Sequence, residues 1–265
     1  MAGQGNSEVR WQKLRRDEIA ALAVRDPVVL LPIGAIEQHG PHLPVDTDTN
    51  SVSTIAERAA HQVGPDVALV LPPIHWGLSP YWMPFAGTIT LRPETILALI
   101  SDIGCSVSAH GFRRMVIING HGGNGGIIGV AATQLADHGI RAVALSYWAL
   151  LGSELSSITP ADHGHIGHAG QTETSIQLHL QPERVDPVYS SFTSWADLST
   201  MADDLLTPGA YKPPLPLVES PTGVYGDLTQ AQAELGELIV DLVTDRLADL
   251  IRAFPLSQPG GETQG

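Results

Sequence analysis

The stretch Val28-Val29-Leu30-Leu31-Pro32-Ile33 is apolar throughout and passes directly into Gly34-Ala35-Ile36-Glu37-Gln38-His39-Gly40-Pro41-His42-Leu43-Pro44-Val45-Asp46-Thr47-Asp48. A strand with one wet face alternates apolar and polar residues, so an unbroken apolar run predicts a strand covered on both faces, as in a parallel sheet. Similar runs recur at residues 67–71, 115–118 and 142–145, and residues 88–91 offer a further short strand. Helical stretches lie between them, at residues 17–24, 49–63 and 126–138. Another is opened by Pro93, with Ile96, Ile100, Ile103 and Val107 at helical spacing and Gly111 as its stop. Strands alternating with helices require right-handed crossovers and predict an α/β fold, its mainly parallel sheet covered on both faces.

Beyond Trp148 the pattern loosens. Residues 171–180 form one convincing helix, whereas residues 186–225 carry many prolines and little periodicity. A connection that long is expected to cover a site or meet a partner subunit. Asp227 is placed to cap a final helix through Arg252, with Gln230 in the capping-box position and Leu235, Leu238, Leu242 and Leu250 among its apolar positions. Residues 1–254 read as a single domain and residues 255–265 as a disordered tail. The sequence shows no internal repeat.

Hydrophobic residues make up 43% of the 265 residues, enough for a sizeable core, while charged residues are only 16%. An average soluble domain has roughly 25% charged residues, so part of this surface is expected to be shared with other subunits in a homo-oligomer. A net charge of -14 with 14 Lys plus Arg leaves no dense basic face for nucleic acid or an anionic membrane. The single cysteine, Cys105, cannot form an internal disulfide and reads as helix core rather than nucleophile. The N-terminal residues lack the apolar centre of a secretory signal, and no apolar run approaches the roughly 18 residues of a membrane span. A cytoplasmic protein is expected.

Three segments carry chemistry. Glu37 and His39 follow a buried strand at the sheet edge where ligands bind in open α/β folds. Being two apart, they project to one side of an extended backbone, and a carboxylate beside an imidazole suits zinc, manganese or iron. Gly40, Pro41 and Pro44 turn the chain so that Asp46 or Asp48 can return to the same point, although Asp48 would equally serve as N-cap of a helix beginning at Thr49. The second segment, Asn119-Gly120-His121-Gly122-Gly123-Asn124-Gly125, also joins a strand to a helix, and its glycines satisfy the dinucleotide fingerprint. That fingerprint needs an acidic residue after the next strand, where Ser146-Tyr147-Trp148 stand, so His121 reads better as a ligand. In the third, Asp162-His163-Gly164-His165-Ile166-Gly167-His168-Ala169-Gly170-Gln171-Thr172-Glu173-Thr174-Ser175, three histidines precede a helix whose first turn holds Glu173. Glu173 could alternatively serve only the positive helix terminus.

Taken together, Glu37-Gln38-His39-Gly40-Pro41-His42-Leu43-Pro44, Asn119-Gly120-His121-Gly122-Gly123-Asn124 and Gly167-His168-Ala169-Gly170 leading to Glu173-Thr174-Ser175 resemble the creatininase family, the creatinine amidohydrolases, across residues 28–180. The resemblance implies a three-layer α/β/α fold, usually hexameric, with two divalent metal ions at the carboxyl ends of the strands: zinc with zinc, manganese or iron. It places Glu37 and His121 on one metal and His39 on the other, with Asp48, rather than Asp46, bridging. Creatininase carries a glutamate two residues after the histidine of the second motif, where Gly123 stands here. Glu173 is the implied replacement, as in members sharing the Gly-Gly-Asn ending.

Creatinine is therefore not the expected substrate. Related activities include deformylation of a pyrimidine precursor in archaeal flavin and deazaflavin biosynthesis, and trimming of a C-terminal dipeptide in mycofactocin maturation. The expectation is hydrolysis of a C–N bond in a small amide, whether cyclic amide, formamide or short peptide, by a water shared between two metals. His168 is the expected general acid, Glu173 a further catalytic group, and Tyr81, Trp82, Trp148 and His165 the expected substrate contacts. The Tyr81 and Trp82 loop would equally suit a subunit interface. A lactone or ester hydrolase on the same site, or a non-catalytic metal-binding protein of the same fold, are the rival readings.

Overall fold

A computed structural model describes residues 7–159, 166–188, 220 and 222–255. Four strands, β1 (Val28–Ile33), β2 (Ala68–Val70), β3 (Arg114–Asn119) and β4 (Arg141–Ser146), form a wholly parallel sheet in the order β2-β1-β3-β4. The helices are α1 (Arg16–Ala23), α2 (Thr47–Val63), α3 (Pro93–Ala109), α4 (Gly125–Leu135), the single turn α5 (Leu155–Ile158), α6 (Gln171–Leu180) and α7 (Ala233–Ala253).

Period-two alternation along the strands divides the apolar residues between two cores. Val28, Leu30, Val116 and Ile118 pack with α2, α6 and α7 on one face. Val29, Leu31, Ile33, Met115 and Ile117 pack with α3 and α4 on the other, where α1 adds Ile19 and Leu22. The result is the expected three-layer α/β/α architecture. It explains why β1 and β3, the central strands, contain almost no polar residue, while the edge strand β4 is only half-buried.

The register sets up the site. Ile33 lies opposite Asn119, and Asn119 opposite Ser146, so β1, β3 and β4 end flush and their outgoing loops leave from one edge. Below that edge the helical layer is tightly packed. A Cβ at Gly236 of α7 would lie 1.9 Å from the Ser175 carbonyl oxygen of α6, so glycine lets these helices touch backbone to backbone.

Several expectations are corrected. Residues 88–91 form no strand: Ile89 makes one bridge to Ile36, while the hydroxyls of Thr88 and Thr90 accept hydrogen bonds from the Gln38 and Ser79 amides. α7 starts at Ala233, beyond any reach of Asp227, whose carboxylate instead accepts from the amide and hydroxyl of Thr229; Gln230 therefore closes no capping box. The buried stripe of α7 is Ile239, Val240, Val243, Leu247 and Ile251; of the expected leucines, Leu235, Leu242 and Leu250 pack partly buried against it, while Leu238 is 47% exposed. In α3, Gly104 faces inward against Leu135, which turns the next residue, Cys105, to the exposed side rather than into the core. α2 begins at Thr47, so Asp48 sits inside the first turn and caps nothing. His163 and His165, most of the proline-rich region and the tail from residue 256 lie outside the described residues. No described helix is long and apolar enough to cross a membrane.

Candidate metal centre

Glu37 and His39 follow β1 on a segment fixed by the Glu37 amide donating to the Val45 carbonyl at 3.0 Å, and α2 then carries Asp48 back to them. His39 Nδ1 lies 3.1 Å from the Glu37 carbonyl oxygen. A carbonyl only accepts, so Nδ1 carries the hydrogen. Nε2 is left facing Asp48 Oδ1 at 3.1 Å and Glu173 Oε2 at 3.6 Å. His121, at the end of β3, is held the other way round: Nε2 donates to the Leu78 carbonyl at 3.1 Å, leaving Nδ1 against Glu37 Oε1 at 3.2 Å and Asp48 Oδ2 at 3.1 Å. His168 Nε2 donates to the Gln38 carbonyl at 2.8 Å, and its Nδ1 faces Glu37 Oε1 at 3.4 Å. Each imidazole thus anchors one nitrogen on a backbone carbonyl and aims the other at the carboxylates, the arrangement that orients metal-binding histidines.

Three sets of converging donors result: Glu37, Asp48 and His121; His39, Asp48 and Glu173; and Glu37, His39 and His168. Asp48 serves the first two with different oxygens. Glu37, His39, Asp48, His121 and Glu173 are all buried, and both Glu37 carboxylate oxygens and Asp48 Oδ2 lack hydrogen-bond partners. A buried carboxylate without partners is strongly destabilising unless a positive charge meets it. Mixed carboxylate and imidazole donors at this spacing fit divalent cations such as zinc, manganese or iron. Asp46 is exposed and stays outside the cluster.

Protons compete with cations for these atoms. Burial alone would lower the pKa of His39, but Asp48 and Glu173 outweigh it and raise it to about 10. In the same way Glu37 and Asp48 overcome burial and hold His121 well above the ordinary imidazole value. Burial pushes Glu173 up to about 8, with Asp48 adding to the rise and His39 opposing it. For Asp48, burial loses to the attraction of His39 and His121, so it stays below the usual carboxylate range. His168 is pushed well down by burial, reinforced by repulsion from His39.

Groups the sequence reading missed complete the site. Asn124 donates to the Gly34 carbonyl and to Asn119 Oδ1 and accepts from the Leu78 amide, joining the loops after β1, β2 and β3. It stands within the quoted Gly-Gly-Asn motif, which was its only signal. Tyr147, buried at the end of β4, has its hydroxyl pKa raised by burial and by the fields of Glu173 and Asp48. Gln38 donates from its side chain to the Gly223 carbonyl and accepts from the Gly40 amide. The His168 backbone pairs with Tyr225 through two 2.8 Å hydrogen bonds. Ala169 adopts a left-handed φ of 53° and donates its amide to Glu173 Oε2.

Of the expected substrate contacts, the Tyr81 hydroxyl lies 3.4 Å from His121 Nε2, and Trp148 stands edge-on to Tyr147 just beyond β4. Trp82 departs from its expected role as an open platform: it is 2% exposed and stacks on His168, with ring centroids 4.2 Å apart at 21°. The imidazole occupies the ring face a flat ligand would need. Gly123 is crowded, since a Cβ there would lie 2.2 Å from the Leu78 carbonyl oxygen and 2.5 Å from His121 Nε2. A side chain at this position has no room, whereas the Glu173 carboxylate reaches within 3.6 Å of His39 Nε2.

Three carboxylates and three imidazoles buried at the carboxyl edge of a parallel sheet define an α/β protein built to bind metal. This chain belongs to the creatininase family, whose model, described as creatinine amidohydrolase, matches residues 12–251. It is a family of hydrolases. The chain is 34% identical over 236 residues to the mycofactocin precursor peptide peptidase of Mycobacterium ulcerans, covering 86% of each chain. It is 31% identical to the creatinine amidohydrolase of Pseudomonas putida over 271 residues, 94% of this chain and 96% of the relative. Among solved structures it resembles a mutant creatininase of the Zn-Zn type, with a TM-score of 0.76, 30% identity, and coverage of 92% of this chain and 97% of that one.

Proposed function

We propose that this protein hydrolyses a C–N bond in a small amide, with one divalent cation held by Glu37, Asp48 and His121 and a second by His39, Asp48 and Glu173. The observation that carries this reading is Asp48, whose two oxygens divide between His39 and His121 in a cluster where both Glu37 oxygens lack hydrogen-bond partners. Two cations there, zinc in both places or zinc beside manganese or iron, would supply an activated water and polarise the scissile carbonyl.

His168 moves the proton. Its Nε2–H is committed to the Gln38 carbonyl, and burial favours the neutral ring, so Nδ1 presents a lone pair beside Glu37. Nδ1 takes a proton from the attacking water and returns it to the leaving nitrogen, acting as base before acid. Tyr81 and Trp148 contact the substrate, and His165, outside the described residues, is assigned the same role. Relatives named for a peptide and for creatinine place both bond types within the family's reach, and Gly123 favours the peptide and other linear amides over creatinine. The protein acts as a cytoplasmic homo-oligomer, a hexamer by family resemblance.

The test is metal analysis of the purified protein followed by a hydrolysis screen over creatinine, formamides, short peptides and lactones. Two divalent ions per chain are expected, with activity abolished by chelation, restored by zinc or manganese, and absent in Glu37→Ala and His121→Ala. Turnover that survives chelation would overturn the metal-dependent reading. A lactone as the sole substrate would favour the ester hydrolase, and a metal-replete protein inert to every compound would favour the non-catalytic alternative.

A further inference from the structure

Trp82 is anchored by its own loop before it meets anything else. Pro80 opens a single turn at Pro80–Trp82, the Trp82 amide donates to the Ser79 carbonyl at 3.1 Å, and the Ser79 amide donates to Thr90 Oγ1 at 2.9 Å. Tyr81, Phe85 and Tyr225 surround the indole at centroid distances of 5.8, 5.8 and 5.7 Å. Within this enclosure it lies nearly parallel to the His168 imidazole, which the His39 ring flanks as well, 4.4 Å away. The same strand bridge that fixes the His168 backbone brings Tyr225 against the indole.

We propose that Trp82 is a positioning residue: its stacked face locks the His168 ring so that Nδ1 stays aimed at the metal cluster while Nε2 keeps the Gln38 carbonyl. The inference rests on the reading of His168 as the proton carrier. The torsion that turns an imidazole about its Cβ–Cγ bond is broad and roughly two-fold, so contacts at Nε2 alone, to the Gln38 carbonyl and the Gln38 side-chain amide, define it poorly. A half-turn would put carbon where Nδ1 faces Glu37 and carbon where Nε2 meets Gln38, disabling proton transfer without touching any metal ligand. An indole face 4.2 Å away blocks that rotation. A substrate platform, by contrast, would keep its face open.

The experiment is long-range proton–nitrogen NMR of 15N-histidine-labelled, zinc-reconstituted protein, with His168→Gln used to assign the His168 signals. In the wild type, His168 is expected as a single tautomer protonated at Nε2, its carbon-bound protons shifted upfield by the indole ring current. Trp82→Phe should keep that tautomer with a smaller upfield shift. Trp82→Leu should show averaged nitrogen shifts and ring protons near free-histidine values, at unchanged zinc content. A Trp82→Leu protein that retains the single tautomer overturns the proposal. If that variant fails to fold, Trp82→Met replaces it, and retention of the single tautomer there has the same force. Failure here leaves the hydrolase reading standing, because that reading is tested by wild-type turnover, its loss on chelation and the substrate screen, none of which depends on the His168 tautomer.

Discussion

The metal cluster is assembled from two halves held in different ways. Glu37, His39, Asp48 and His121 hang from loops leaving the flush ends of β1 and β3, cross-tied by Asn124. His168 and Glu173 arrive on a segment outside the sheet, held by the Tyr225 bridge, the Gln38 carbonyl and the left-handed turn at Ala169. One half inherits its geometry from the fold, while the other is latched onto it. On the proposed dimetal reading, the difference predicts tighter binding of a cation on Glu37, Asp48 and His121 than of one that also needs Glu173.

Asp48→Ala should have the largest effect, because Asp48 belongs to both donor sets. Both cations are expected to be lost and hydrolysis abolished, with the fold retained by circular dichroism; two ions per chain by metal analysis would break the bridging role. Glu173→Gln acts only on the latched half and should leave one ion per chain. Loss of both ions would show that the halves do not differ as described.

Next in size is a pH effect. Glu173 is raised to about 8 and His39 to about 10, so in the folded chain without metal Glu173 holds a proton that the unfolded chain has lost from about pH 4.5 to 8, and His39 does so from about pH 6.5 to 10. The stability of the metal-free chain should therefore fall as pH rises, through Glu173 from about pH 4.5 to 8 and through His39 from about pH 6.5 to 10. Lowered His168 has the opposite sign, losing stability only as pH falls below the ordinary imidazole value. Cations displace protons from Glu173 and His39, so the Tm gap between zinc-loaded and chelated protein should widen from pH 6 to pH 9. A gap that narrows would contradict proton and metal competition at these atoms.

Ala169→Gly should have the smallest effect. Left-handed backbone costs a non-glycine residue roughly 1–2 kcal/mol, and glycine's extra unfolded freedom returns roughly 0.5–1 kcal/mol. Denaturant unfolding should therefore show a net change within about 1 kcal/mol, with a weakened second cation if the turn also aims Glu173.

The same division governs what could be read from the sequence. Glu37, His39 and His121 were legible because a buried strand has an unmistakable apolar run and its outgoing loop inherits a known sheet edge, whereas only the family pattern separated Asp48 from Asp46. Glu173 and His168 needed the family pattern, since nothing in their spacing fixes where a segment outside the sheet will dock. Gln38, Tyr147 and Trp82 took their places through partners as remote as Gly223, Glu173 and His168, which no local pattern encodes. On α7 the leucines at 235, 242 and 250 flank the core while isoleucine and valine fill its centre, and only Leu238 turns to the exposed side.

Gly123 has a consequence for where the cluster draws its carboxylates. A side chain there would strike the Leu78 carbonyl, the very group that holds His121, so a glutamate can enter only if the turn from Leu78 to Tyr81 is rebuilt. Crowding at Gly123 thus leaves the third carboxylate of the cluster to α6, and ties its supply to the segment that the Tyr225 bridge holds in place.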